Sequence, residues 1–244
     1  MHISKKICHF MLEMGVVMKR LFLLVVLFTL TVPAGAEYMA GDHELFLMPT
    51  AYTMPKGASY FSDYEVVILN YTYAVTSRTH VGVFSFFPIN KEVLETTSIG
   101  IKQNYYSSEQ TSCALWTAII PKSKVFNLGN VVSLGKKNKS IHIAASAVYF
   151  ANEDATFDSA ENFKNRKWSF TYTMGYRRDM SEKTSLLVEY SYISASEEDA
   201  DILCVGPRFR TKKIAWDIAA ARPIFTNDDP SLIVFPILKA TIVF

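Results

Sequence analysis

Beyond residue 36, apolar and polar residues alternate along most of the chain with a period of two, the spacing of a strand whose faces meet different surroundings. The clearest stretch is Trp168-Ser169-Phe170-Thr171-Tyr172-Thr173-Met174-Gly175-Tyr176-Arg177. Its bulky apolar residues share one face, and Ser, Thr, Gly and Arg share the other. Ile141, Ile143, Ala145, Ala147 and Tyr149 oppose His142, Ala144 and Ser146 in the same way, and Leu186, Val188, Tyr190 and Tyr192 oppose Ser185, Glu189 and Ser191. Leu203, Val205, Pro207 and Phe209 oppose Cys204, Gly206, Arg208 and Arg210; Ile214, Trp216, Ile218 and Ala220 oppose Ala215, Asp217 and Ala219. At the end of the chain Leu238, Ala240, Ile242 and Phe244 share one face, with Lys239, Thr241 and Val243 on the other.

Less regular strands are expected at about 79–88, 95–106, 110–121 and 125–135, and the stretch 58–75 is long enough for two short ones. Pro207 has no N–H for the ladder, so a bulge is expected there. Short connections at 76–78, 107–110, 136–139, 179–182 and 210–212 alternate with longer or more acidic ones near 88–95, 152–166, 196–201 and 223–231. That alternation suits an even number of antiparallel strands, ten to twelve, with twelve favoured.

The segment before residue 37 has a different pattern. Met18-Lys19-Arg20 precedes the apolar run Leu21 to Val32 and then Pro33-Ala34-Gly35-Ala36, the order of a secretory signal peptide with cleavage after Ala36. The run is short for a membrane-spanning helix, which needs about 20 apolar residues. Residues 1–17 read as an upstream extension with Met18 as the natural start, or else as a long leader; 18–36 as the signal peptide; 37–57 as an extended N-terminal arm punctuated by Pro49, Pro55 and Gly57; and 58–244 as the strand domain. Past residue 36 no apolar stretch is long enough for a helical span. A chain half apolar and rich in Tyr and Phe can then be membrane-embedded only as a closed barrel, because lipid offers no partners to open backbone groups. The same alternation also suits a soluble sandwich with an apolar core. Trp168 and Tyr176, at the two ends of their strand, favour the membrane, where amphipathic rings sit at the interfaces.

Signal peptide, alternating strands and the terminal aromatic strand together resemble Gram-negative outer-membrane β-barrel proteins, over essentially all of 18–244. The resemblance implies an all-β antiparallel transmembrane barrel in the outer membrane, in contact with its lipid. It also implies delivery by periplasmic chaperones to the barrel-assembly machinery, which would read Leu238, Ile242 and Phe244 as its signal. The segment Phe46 to Gly57 resembles a stretch before the first strands of uncharacterised barrels from Bacteroidetes-like bacteria, which lends no activity.

Charge adds little about partners. The whole chain carries 25 Lys and Arg against 23 Asp and Glu, and removal of the leader brings it close to neutrality, so nothing points to nucleic acid. Oligomeric state is not legible. Cys113 falls on the outer face and Cys204 on the inner, which argues against a disulfide. No spacing of His and Cys suits a metal, and no cofactor is expected. On the strand register Lys102, Arg177, Glu189, Arg208, Arg210, Asp217 and Lys239 point inward. In a narrow lumen these charges are expected to pair and fill it, giving a plugged barrel with a structural or surface-interaction role. In a wetter lumen the excess of cations would line a small anion-preferring pore. Catalysis is not expected. Beyond residue 36 only His43, His80 and His142 remain, and His142 and Ser146 are about 13 Å apart at ~3.3 Å per residue along one strand. The carboxylates in 152–166, 197–201 and 227–229 suggest divalent-cation contacts at the outer surface or simply solvated loops.

Overall fold

Twelve strands close into one antiparallel barrel in the computed structural model, which describes residues 39–65, 67–86, 96–151, 168–194, 199–224 and 234–244. They are β1 (Ser59–Tyr64), β2 (Ile68–Ala74), β3 (Thr79–Phe86), β4 (Ser98–Ser107), β5 (Thr111–Ile120) and β6 (Val125–Lys136), then β7 (Lys139–Phe150), β8 (Trp168–Asp179), β9 (Thr184–Ser194), β10 (Ala200–Arg210), β11 (Ile214–Ile224) and β12 (Phe235–Val243). Each strand pairs with its neighbours in sequence. The ring shuts where β1 meets β12, from Tyr60 opposite Val243 to Tyr64 opposite Lys239. Closure leaves no edge with unpaired backbone groups, which is the condition for a sheet to lie in lipid.

The favoured count of twelve is the observed one, and the stretch 58–75 divides into β1 and β2 at a tight turn where Glu65 takes a positive φ of 56°. The leader and the acidic loop segments 152–166, 197–198 and 227–229 lie outside the described residues.

Alternation sets the two faces. On β8, Trp168, Phe170, Tyr172 and Met174 are exposed on the outside, while Ser169, Thr173, Gly175 and Arg177 are buried in the lumen. Ile99, Ile101, Leu115, Leu128, Ile143, Trp216, Ile218 and Leu238 continue the outer apolar band around the ring. A contiguous surface of this size has no counterpart on a soluble monomer, whereas hydrocarbon covers it at no cost. Cys113 sits on the outer side and Cys204 is buried in the wall, and neither is paired.

The bulge expected at Pro207 does not form. Pro207 stays opposite Leu186 of β9, and on the β11 side the register runs without slip from Val205 opposite Ala220 to Arg208 opposite Asp217. Gly206 makes this possible. A Cβ there would lie 2.0 Å from the Ile218 carbonyl oxygen, so the β11 backbone comes closer than any other residue allows. The observed irregularity is on β4, between Asn104 and Tyr106. Gly206→Val is therefore expected to abolish the folded form. Heat-modifiable gel migration checks this: the variant should show only the unfolded band, with Gly206→Ala markedly reduced.

Candidate functional site

The lumen is occupied. Residues 39–57, expected as an extended arm leading into the barrel, turn back and pack inside it, with Ala40, Leu45, Phe46 and Ala51 fully buried. Gly41 takes a φ of +82°, and a Cβ there would meet the Arg208 guanidinium at 2.7 Å. Glycine is thus required both for the turn and for the close approach. The chain then forms a small loop: the Leu45 N–H donates to the Met48 carbonyl at 2.9 Å, and the Thr50 N–H to the His43 carbonyl at 2.9 Å. Leu47 stands half exposed at its tip.

The apolar side of this plug rests on short side chains. Leu45, Phe46, Met48 and Ala51 pack with Ala114, Val131, Ala144, Leu187, Ala219 and Ala221 of the wall. At Gly175 a Cβ would collide with Leu45 at 2.1 Å. Inward-facing Ala and Gly leave the space that the plug fills, and this was the available sequence signal for it: a narrow wall lined with small residues must be filled by something else.

Its polar side is held by the inward charges. Arg208 forms a fork with Asp217, Nε to Oδ1 at 2.6 Å and Nη2 to Oδ2 at 2.7 Å. The same guanidinium donates to the carbonyls of Gly41, of Glu44 at 3.0 Å and of Leu45 at 3.1 Å. Lys239 donates to the carbonyls of Leu45 and, at 3.1 Å, Phe46, and lies 3.2 Å from the Glu44 carboxylate and 3.4 Å from Asp217. Lys102 donates to the carbonyls of His43, Thr50 and Tyr52 at 2.9–3.3 Å. Arg177 and Arg210 converge on Asp42 Oδ1 at 2.7 and 3.0 Å and share Asp179. Glu189 accepts from the N–H groups of Leu47 at 3.0 Å and Met48 at 3.3 Å.

All seven inward residues read from the strand register thus face the plug or its counter-ions. Pattern reasoning missed Asp42, Glu44 and Asp179, which bring the acids level with the bases. Asp42 and Glu44 belong to no strand, so the period-two argument does not reach them.

Glu44 is the electrostatic pivot. Ser62 Oγ at 2.9 Å and the Tyr64 hydroxyl at 2.8 Å both donate to it. Burial works to raise its carboxyl, but Lys239, His43 and the Tyr64 hydroxyl prevail and hold it well below the usual carboxylate range. For His43, burial dominates and lowers the imidazole, against the opposing pull of Glu44. Its ring stacks on Tyr60 at 3.5 Å.

Beyond the plug an open cavity of about 340 Å³ remains, lined by Leu47, Tyr60, Asn70, Thr72, His80, Phe84, Lys102, Trp116 and Asn127. His142 and Ser146 do not form a pair. The ring nitrogens of His142 lie 2.7 Å from Ser133 Oγ and 2.9 Å from Ser140 Oγ. Of the surface carboxylates, Asp199 and Asp201 accept from the hydroxyls of Tyr192 and Tyr190.

Among solved structures the chain is similar to an outer membrane channel from Pseudomonas putida F1, with a TM-score of 0.51 and 12% identity over 87% of this chain and 100% of that one. LpxR from Salmonella typhimurium aligns at 0.42 and 8% identity, over 77% of this chain and 99% of that one. The outer-membrane expressed OmpT of Vibrio cholerae aligns at 0.38 and 11%, over 72% of this chain and 64% of that one. No protein-family model and no curated protein sequence matches. The closed twelve-strand ring and its apolar outer band make this an outer-membrane β-barrel, of the architecture seen in the Pseudomonas channel, with a buried charge network inside.

Two predictions follow from the network. Arg208→Leu leaves Asp217 buried beside Lys239 alone and is expected to destabilise the folded barrel by about 3–5 kcal/mol, whereas Arg208→Leu with Asp217→Leu costs less; urea titrations of lipid-embedded protein give both values. Acid weakens the plug in two stages. A neutral His43 with a lowered pKa contributes stability that is lost as pH falls below the ordinary imidazole value. Glu44, also lowered, contributes stability present above the ordinary carboxylate value and lost as pH drops through its depressed one. Unfolding midpoints should therefore fall from pH 8 toward pH 3, the first stage becoming smaller in His43→Gln and the second smaller in Glu44→Gln.

Proposed function

We propose that this protein is a closed outer-membrane barrel, non-conducting with the plug in place, which acts through its membrane-facing and outer surfaces and its lumen pocket rather than by catalysis. The observation that carries this reading is the occupancy of the lumen by 39–57, whose carbonyls take the hydrogen bonds of Arg208, Lys239 and Lys102. A non-catalytic role is supported by the engagement of the histidines. His80 Nε2 accepts from the Met54 N–H at 2.9 Å, His142 lies between two serine hydroxyls, and His43 stacks on Tyr60. Biogenesis through periplasmic chaperones and the barrel-assembly machinery, with Leu238, Ile242 and Phe244 as its signal, belongs to the same reading.

One observation favours a second reading, a small-solute channel gated by its own N-terminal segment. The cavity of about 340 Å³ already opens one side of the lumen, and the solved structure aligned over its full length is a channel. The plug is held largely by polar contacts, which water can replace on withdrawal. Loss of Asp42 and Glu44 would leave Lys102, Arg177, Arg208, Arg210 and Lys239 in excess and the pore weakly anion-preferring.

Planar-bilayer recording of the refolded protein separates the two. The intact barrel is expected to insert silently. Deletion of 39–57 should produce discrete steps whose reversal potential in a salt gradient shows anion preference if the second reading holds, and none if the first alone does. Stable open steps from the intact protein would overturn the closed barrel.

A further inference from the structure

The edge of the barrel that carries the short turns also carries an unexplained row of charge. Lys136 of β6 is directly opposite Lys139 of β7, and Lys139 is directly opposite Arg178 of β8. All three are exposed and follow the outward parity of their strands, one step beyond Leu134, Ile141 and Tyr176 of the apolar band. Like charges directly opposite one another on a sheet repel, and none of the three has an ion-pair partner among the described residues. Lys137 and Lys183, on the turns of the same and the next hairpin, extend the exposed positive field, with Lys212 and Lys213 one hairpin further on; Glu109 and Glu182 are the acids in the two adjoining turns.

Short turns mark this edge as periplasmic. The row therefore lies at the headgroup level of the inner leaflet, where lysine and arginine stems cross the apolar boundary and their heads reach the phosphates. We infer that Lys136, Lys139 and Arg178 form a binding site for the headgroup of an anionic phospholipid in the periplasmic leaflet. Charge complementarity carries the assignment: a phosphodiester between the three cations removes their mutual repulsion, and the Arg178 guanidinium can hold two of its oxygens. The acyl chains then lie along Leu134, Ile141 and Tyr176.

The test is native mass spectrometry of the full-length protein refolded into nanodiscs of phosphatidylcholine with and without phosphatidylglycerol, then released into mild detergent. The folded protein should retain phosphatidylglycerol over phosphatidylcholine. Lys136→Gln/Lys139→Gln/Arg178→Gln should lower that retention by about tenfold or more, with heat-modifiable migration intact. Lys136→Arg/Lys139→Arg should keep it, and single Lys139→Gln, which serves should the triple variant not fold, should lose part of it. Equal retention of the two lipids by the unaltered protein overturns the site, as does unchanged retention by the folded triple variant or by Lys139→Gln. In nanodiscs that also contain lipid A, preferential retention of lipid A over phosphatidylglycerol likewise overturns it.

Discussion

A guanidinium buried in a lumen packed by its own chain needs more acceptors than one carboxylate can offer, and Arg208 shows how this protein meets the need. Asp217 on the neighbouring strand takes two of its hydrogen bonds, and the carbonyls of Gly41, Glu44 and Leu45 take the rest. Without the plug, Arg208 would face an incomplete shell. Without Arg208, the Gly41, Glu44 and Leu45 carbonyls of the plug would lose the donor that the wall supplies to all three. Each is the condition for the other's burial, since an unpaired polar group in a dry interior costs more than a paired one returns.

The same logic runs around the lumen. Lys239 and Lys102 cap further carbonyls, Arg177 and Arg210 share Asp42, and Glu189 receives the N–H groups at the plug's tip. The plug turns its acids and carbonyls to the cationic wall and its Leu45, Phe46 and Met48 to the alanine-lined side. The interior therefore interleaves a polar lock with a small apolar core, the same strands supplying both: β9 carries Leu187 and Glu189, and β11 carries Asp217 and Ala219. Outside, the arrangement is inverted: the apolar band is continuous, and charge returns at the border that carries the short turns.

The alternation of residues determined most of the barrel. A strand with lipid on one side and a packed lumen on the other must alternate, so the faces of Trp168 to Arg177 and the inward placement of Lys102, Arg177, Glu189, Arg208, Arg210, Asp217 and Lys239 were legible residue by residue. Turn lengths supplied the even strand count. The expectation at Pro207 failed because sequence shows a missing N–H but not that Gly206 lets β11 approach closely enough to keep the register.

Only the tertiary structure decided what fills the lumen. Residues 39–57 have no period-two pattern of their own, and their prolines and glycines read equally well as a linker. Their place depends on the cavity left by Ala114, Ala144, Gly175 and Ala219 and on donors such as Arg208, 167 residues from Gly41 in sequence. Alternation reports the two surroundings of a single strand and is local. The fit of a plug is a property of the closed ring, and it exists only once β1 has met β12.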